Sequence, residues 1–327
     1  MQCCAIPLAI MKNFTLHSIG LALVVSTVFL SHAPAGEIGH QGGGAFNPGD
    51  YFAPPKALIF SLYGNSYSTR ALRDGGGNEI TGFEVFGRRI DLDIDVESFQ
   101  VIPMIIWSPG VKFLGADVSS LFMPIYGQTS IAANVSAFGR RIQIDEDVWG
   151  FQDSYVQPAW LTWRTAHWDF STSYGFWAPT GSYEPDALDN TGAGFWSHLF
   201  RASTAWSPDG KRGTLLTGSL AYEFNGDKKG VDLTPGSHLT LDVGVKHSFS
   251  QRFEAGVYGF AQWQVTDDRG RDALNAEVRD RLFGAGVYAS YWFVPQKFGL
   301  LARHTCEFGA RDRFEGNSTA LGFNWVF

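Results

Sequence analysis

Two places in the sequence set a nucleophile beside a histidine. His304 and Cys306 lie two residues apart, and His247 directly precedes Ser248. A hydrolase built on a single strand needs the i, i+2 spacing, because only then do base and nucleophile project from one face. His247/Ser248 fails that requirement. His304/Cys306 meets it, but Cys306 shares its face with Leu300 and Phe308 and reads as a packed small residue. No G-x-S-x-G, H-E-x-x-H, P-loop or paired-Cys metal signature occurs, and the eight His are scattered, so no catalytic residue, metal or cofactor is assigned. The acidic runs Asp91/Asp93/Asp95 and Asp145/Glu146/Asp147 alternate as cation ligands can, yet they lack the Gly and Glu spacing of an EF-hand and read as solvated loop charges.

What remains is charge on the wet faces of otherwise apolar strands. Trp168, Phe170, Tyr174 and Phe176 share one face, opposite His167, Asp169, Ser171 and Ser173. Leu216, Leu220, Tyr222 and Phe224 repeat the pattern, as do Leu239, Leu241, Val243 and Val245, and then Ala285, Val287, Ala289, Tyr291 and Phe293. Such strands suit a membrane barrel, lipid on one side and a polar lumen on the other. Asp117, Asp169, Arg201, Glu223, Asp242, Lys246, Gln262, Arg303 and Glu307 are the candidate lumen residues. They form either a solute path or a set of ion pairs that plugs a narrow barrel. Trp160, Trp206, Trp263 and Trp292 fall near strand ends, where an aromatic girdle is expected.

These faces require strands near 57–69, 98–107, 111–125, 153–165, 167–178, 196–206, 214–225, 238–249, 253–266, 280–293, 298–309 and 318–327. Breaks after even-numbered strands are short, and those after odd-numbered strands (70–97, 126–152, 179–195, 226–237, 267–279 and 310–317) are mostly long. Loop lengths sorted by parity are the mark of a meander crossing a membrane, and an even strand number puts both chain ends on the short-turn, periplasmic side. The expected fold is therefore all-β, a transmembrane antiparallel up-and-down β-barrel of about twelve strands over residues 57–327. Strand 98–107 is apolar on both faces, so it either lines an apolar part of the lumen or packs against the preceding segment. A repeat, Phe86–Val96 and Phe138–Val148, reads as a duplicated hairpin unit in two long loops.

Composition agrees. Gly supplies 38 of 327 residues, with 27 Phe and 11 Trp, while charged residues are only 17%. The net charge of −7 leaves no basic stripe for phosphates, so nucleic acid is excluded as a partner. Residues 1–35 read as a signal peptide whose true start is Met11: Lys12, an apolar run from Ser18 to Leu30 too short to span a bilayer, then Ala33-Pro34-Ala35 before the cut. Cys3 and Cys4 would leave with it, and Cys306 then has no partner. Residues 36–56 are Gly/Pro-rich and aperiodic, a periplasmic lead-in to the barrel whose Phe46, Tyr51 and Phe52 are expected near its mouth.

The last strand places Leu321, Phe323, Trp325 and Phe327 on one face. This ending resembles the closing strand of bacterial outer-membrane barrels, which the barrel-assembly machinery reads by a terminal Phe. Three internal stretches resemble the MetA-pathway phenol-degradation family: Trp149 to Pro158 with Trp163 beyond it, Pro179-Thr180-Gly181-Ser182-Tyr183, and Gln262 to Thr266. The likeness covers most of residues 45–327, with Gln152 where the family usually has Gly. It implies an outer-membrane barrel that carries hydrophobic or aromatic compounds, with outer-membrane lipid and a small hydrophobic solute as partners and no enzyme activity. The alternative is a closed structural or adhesive barrel, or a lipid-modifying enzyme.

Overall fold

A strand with one oily and one wet face leaves its edges unpaired, and in a membrane only closure into a ring satisfies them. A computed structural model describes residues 38–44, 46–85, 88–137, 140–185, 187, 190–273 and 276–327; the expected signal segment lies outside them. The described residues form sixteen strands: β1 (Ala57–Arg73), β2 (Gly82–Val85), β3 (Arg88–Ser108), β4 (Lys112–Phe113), β5 (Ala116–Met123), β6 (Tyr126–Ala137), β7 (Arg140–Phe151), β8 (Ser154–Arg164), β9 (Trp168–Ala178), β10 (Ser197–Trp206), β11 (Thr214–Asn225), β12 (His238–Ser248), β13 (Phe253–Gln264), β14 (Arg281–Val294), β15 (Phe298–Arg311) and β16 (Arg313–Val326). Twelve of them close the ring, in the order β1, β3, β5, then β8 through β16 and back to β1. Every pairing is antiparallel, and the terminal strand pairs Trp325 with Phe60 and Ala320 with Asn65. The fold class and strand number match the sequence expectation.

The abundance of Gly has a local cause on β13 and β14. Gly256, Tyr258 and Phe260 pair with Tyr288, Gly286 and Gly284, so each inward ring lies over a glycine on the next strand. A Cβ at Gly286 would come within 2.3 Å of the Tyr258 ring, and one at Gly284 within 2.2 Å of Phe260. Large rings can fill the lumen because their neighbours carry no side chain.

Three expectations change. Residues 126–152 are not an open loop but the hairpin of β6 and β7, which pairs along Asp91–Val101 of β3 above the closed ring. The repeats alternate apolar and acidic residues, which is strand periodicity. Ile90 and Leu92 are buried with Val135 and Phe83, while Asp91, Asp93 and Asp95 on the other face are exposed. At ~3.3 Å per residue the 21 residues of β3 extend far beyond a ~25 Å apolar band. Second, the break expected at 310–317 shrinks to Asp312, which turns the chain with φ of 52°. Third, Trp160 is not in a girdle. A bulge between Val156 and Ala159 exchanges the faces of β8, so Tyr155 and Gln157 before it and Trp160 and Thr162 after it all point inward and are buried. Trp292 likewise shares the inward parity of buried Tyr288 and Ser290 and abuts Gly299. Trp206 does face outward, beside Trp168.

Candidate functional site

Residues 38–56 have no period and build no ladder, so every backbone N–H and C=O that they bury needs a partner from elsewhere. The inward faces of the strands supply those partners. Glu223 accepts from the amides of His40 (2.8 Å) and Gln41 (3.1 and 3.3 Å), and Asp242 accepts from Gly44 (2.7 Å). Gln262 donates to the Gln41 carbonyl and Arg303 to that of Gly44. Farther along, Tyr288 donates to the Pro48 carbonyl at 3.1 Å, Trp160 and Ser171 donate to that of Tyr51 at 3.2 and 2.7 Å, and Arg164 reaches those of Phe52 and Ala53. The segment thus runs through the lumen, from the long-loop end at His40 to the short-turn end where β1 begins. Two of its glycines are required where they stand. A Cβ at Gly43 would overlap the Phe260 ring at 1.9 Å, and Gly44 has φ of +65°.

At the long-loop end His40 is held on all sides. Its Nδ1 meets Ser197 Oγ at 2.6 Å and its Nε2 meets Asp153 Oδ2 at 2.8 Å. The ring stacks on Trp177 (5.5 Å between centroids, 11° between planes) and takes Phe195 edge-on at 4.7 Å. Asp153 also accepts from the amides of Gly181 (2.9 Å) and Ala193 (2.8 Å), tying the loop between β9 and β10 to the segment. Burial alone would raise the Asp153 pKa, but the His40 contact and these two amides outweigh it and hold the carboxyl below the ordinary Asp value. Ser197 donates to Asn225 Oδ1 at 2.6 Å, and Asn225 donates to the Gly236 carbonyl at 2.7 Å. A second buried set lies alongside: His238 and Asp280 at 2.6 Å, with Arg313 donating to Asp280 and to Gln262, each at 2.9 Å.

Nearer the middle, Arg201 pairs with Asp242 at 3.3 Å and donates to Ser219 at 3.2 Å. Its guanidinium also lies over the rings of Phe46 (5.3 Å) and Tyr51 (5.4 Å). Phe46, Tyr51 and Phe52, expected at the mouth, lie inside the lumen instead. Ala53 joins a core of Ile106, Leu121, Tyr155, Trp160, Leu199 and Ala221, with Phe46 and Met104 against it. The inward row of the doubly apolar strand therefore packs on the segment, while Ile105 and Trp107 face outward.

Of the candidate lumen residues, Arg201, Glu223, Asp242, Gln262 and Arg303 hold the segment, and the Lys246 stem lies against Gly49. Asp117 acts one step away, bound to Arg164 and Lys112 at 3.3 Å each. Asp169 pairs with Arg212 and Lys246 with Glu254, while Glu307 accepts from Tyr67 and the Gly316 amide. His40, Asp153, Trp177, Ser197, His238 and Asp280 were absent from that set. Asp153 and Gly181 did stand in the family-like stretches, and Gln262 in the third, so all three stretches converge on residues 38–44. On the outer surface Leu321, Trp325 and Phe327 are exposed, and Phe323 packs against Phe60 and Phe298.

The model of the family described as "Putative MetA-pathway of phenol degradation" matches residues 69–323, and the chain belongs to that family. No curated protein matches the sequence. Among solved structures, an outer membrane channel of Pseudomonas putida F1 superposes with a TM-score of 0.69 at 16% identity, over 86% of this chain and all (100%) of its own, which shows a shared barrel fold. A FadL homologue of Pseudomonas aeruginosa gives 0.40 at 10% identity, over 87% and 94% of the two chains.

Proposed function

We propose that this member of the phenol-degradation family is an outer-membrane channel for passive uptake of small hydrophobic or aromatic compounds, closed at rest by residues 38–56. The observation that carries the reading is the lumen itself. Its wall presents the rings of Tyr155, Trp160 and Trp177 among fixed charges such as Arg201, Glu223 and Asp242, and what they enclose is a segment of the chain. The P. putida neighbour is an outer membrane channel, which supports passage as the role. Residues 1–35 would direct export and the terminal aromatic strand would be read during assembly; replacing Phe327 by Ala should cut assembled barrel more than passage per barrel.

Passage is favoured over catalysis because His304 and Cys306, 3.5 Å apart, are exposed on the outer face with Leu300 and Phe308. One observation favours the second reading, a closed structural barrel: the segment meets the wall both at His40 to Gly44 and at Phe46 to Ala53. Planar-bilayer conductance and liposome uptake of phenol separate the two. Chain lacking residues 38–56, assembled and heat-modifiable on gels, should conduct and admit phenol while intact protein passes far less. If the deleted form admits nothing, the channel reading fails.

A further inference from the structure

We infer that the pocket holding the His40 ring is a binding site for hydroxylated aromatic solutes, and that His40 occupies it as a tethered stand-in for them. This rests on the channel reading above. The pocket has the make-up of a small-molecule site, apolar rings with a few convergent polar groups. Trp177 offers a flat face, Phe195 an edge, Asp153 an acceptor in reach of the ring edge, and Ser197 a hydroxyl at the opposite edge. Phe195 and Ser197 are fully buried, and the loop amides of Gly181 and Ala193 fix the carboxylate. Such a frame accepts any planar ring that donates a hydrogen bond from its rim.

Among such rings a hydroxylated one fits best: its O–H reaches Asp153 from the rim, as the imidazole edge does, while its face keeps the stack on Trp177. Entry of such a solute expels His40. The Glu223 and Gln41 contacts next to it then lose their anchor, and the long-loop end of the segment is freed. The solute opens the path it uses.

The test is phenol binding to detergent-solubilised, heat-modifiable protein, corrected for protein-free micelles. A tethered ring competes at an effective concentration on the order of millimolar. His40→Ala should therefore bind phenol saturably and about tenfold or more tighter than the native chain. The site should vanish in His40→Ala/Trp177→Ala, and toluene, the ring without the hydroxyl, should bind more weakly than phenol. A second measurement leaves His40 in place: in a Cys306→Ser background, phenol should speed maleimide labelling of Gln41→Cys, a position 4% exposed. Equal affinity with and without His40, binding that survives Trp177→Ala, or labelling that phenol leaves unchanged would overturn the inference. The two readings fail separately. A chain lacking 38–56 that passes phenol, beside a His40→Ala chain that binds none, removes the socket and leaves the channel; binding by His40→Ala with an impermeable deleted chain does the reverse.

Discussion

Between Gly39 and Gly44 the lumenal segment meets the barrel through hydrogen bonds, with rings only against the His40 imidazole and the bare backbone of Gly43 and Gly44, whereas from Phe46 to Ala53 its own apolar side chains are buried among rings and alkyl groups. The first stretch is gripped by Glu223, Asp242, Gln262, Arg303 and the His40 socket. The second buries Tyr51, Phe52 and Ala53 to between 2% and 8% exposure. Hydrogen bonds exchanged with water yield about 0.5–1.5 kcal/mol each, or 1.5–3 when one partner is charged. A buried aromatic side chain yields about 1.5–3 kcal/mol by area alone, and water cannot replace it. The long-loop half is thus a latch that polar competitors can undo, and the short-turn half is an anchor. Opening should begin at His40 and leave Tyr51 to Ala53 in place.

The largest effect should come from the anchor. Trp160→Ala removes a ring from the core around Ala53 together with the donor to the Tyr51 carbonyl, and it should cost about 3–5 kcal/mol. Thermal unfolding of the solubilised barrel, followed by gel shift, reads this directly. Next comes the junction. Asp242→Ala strips the buried Arg201 of its carboxylate and the Gly44 amide of its acceptor, a loss of about 3 kcal/mol, because breaking a buried pair leaves a charge uncompensated. Glu223→Gln is milder, about 1–2 kcal/mol, since the amide still accepts but without charge. Its distinguishing mark is location: maleimide should reach Gln41→Cys sooner and Phe52→Cys no sooner. If both positions open together, the segment is one cooperative plug and the division into latch and anchor is wrong.

The sequence shows the barrel plainly and the segment hardly at all, for a physical reason. Strand faces repeat every second residue, so Asp169, Glu223 and Asp242 could be placed on a wet face from their neighbours alone. What that wet face binds is set by contacts such as His40 to Glu223, 183 residues apart, between a periodic strand and an aperiodic run. No local pattern encodes such a pairing. Alternation puts Trp160 on the wrong face because the bulge at Pro158 inverts it, and a period of two is blind to a single extra residue. The acidic repeats read as loops by their charge, although Ile90-Asp91-Leu92-Asp93-Ile94 alternates as a strand does. Asp153 carried a signal in its motif, but its role as a hub for two loop amides and His40 exists only after closure.

The smallest effect sharpens the same division through pH. The Asp153 carboxyl lies between β7 and β8, and its pKa in the folded protein is below the ordinary value of ~3.9. A depressed carboxylate contributes stability that is complete above the unfolded value and fades as pH falls through the folded one. The Asp153 contribution to the latch should therefore be constant from pH 8 to pH 5 and weaken only below about 4. Labelling of Gln41→Cys should follow that profile, while labelling of Phe52→Cys should change less, because Trp160, Ser171 and Arg164 hold the Tyr51, Phe52 and Ala53 carbonyls. Asp153→Asn should abolish the acid-dependent rise by starting at its upper level. A rise between pH 5 and 8 that survives Asp153→Asn would place the titrating group elsewhere, and the latch would then be governed from outside the socket.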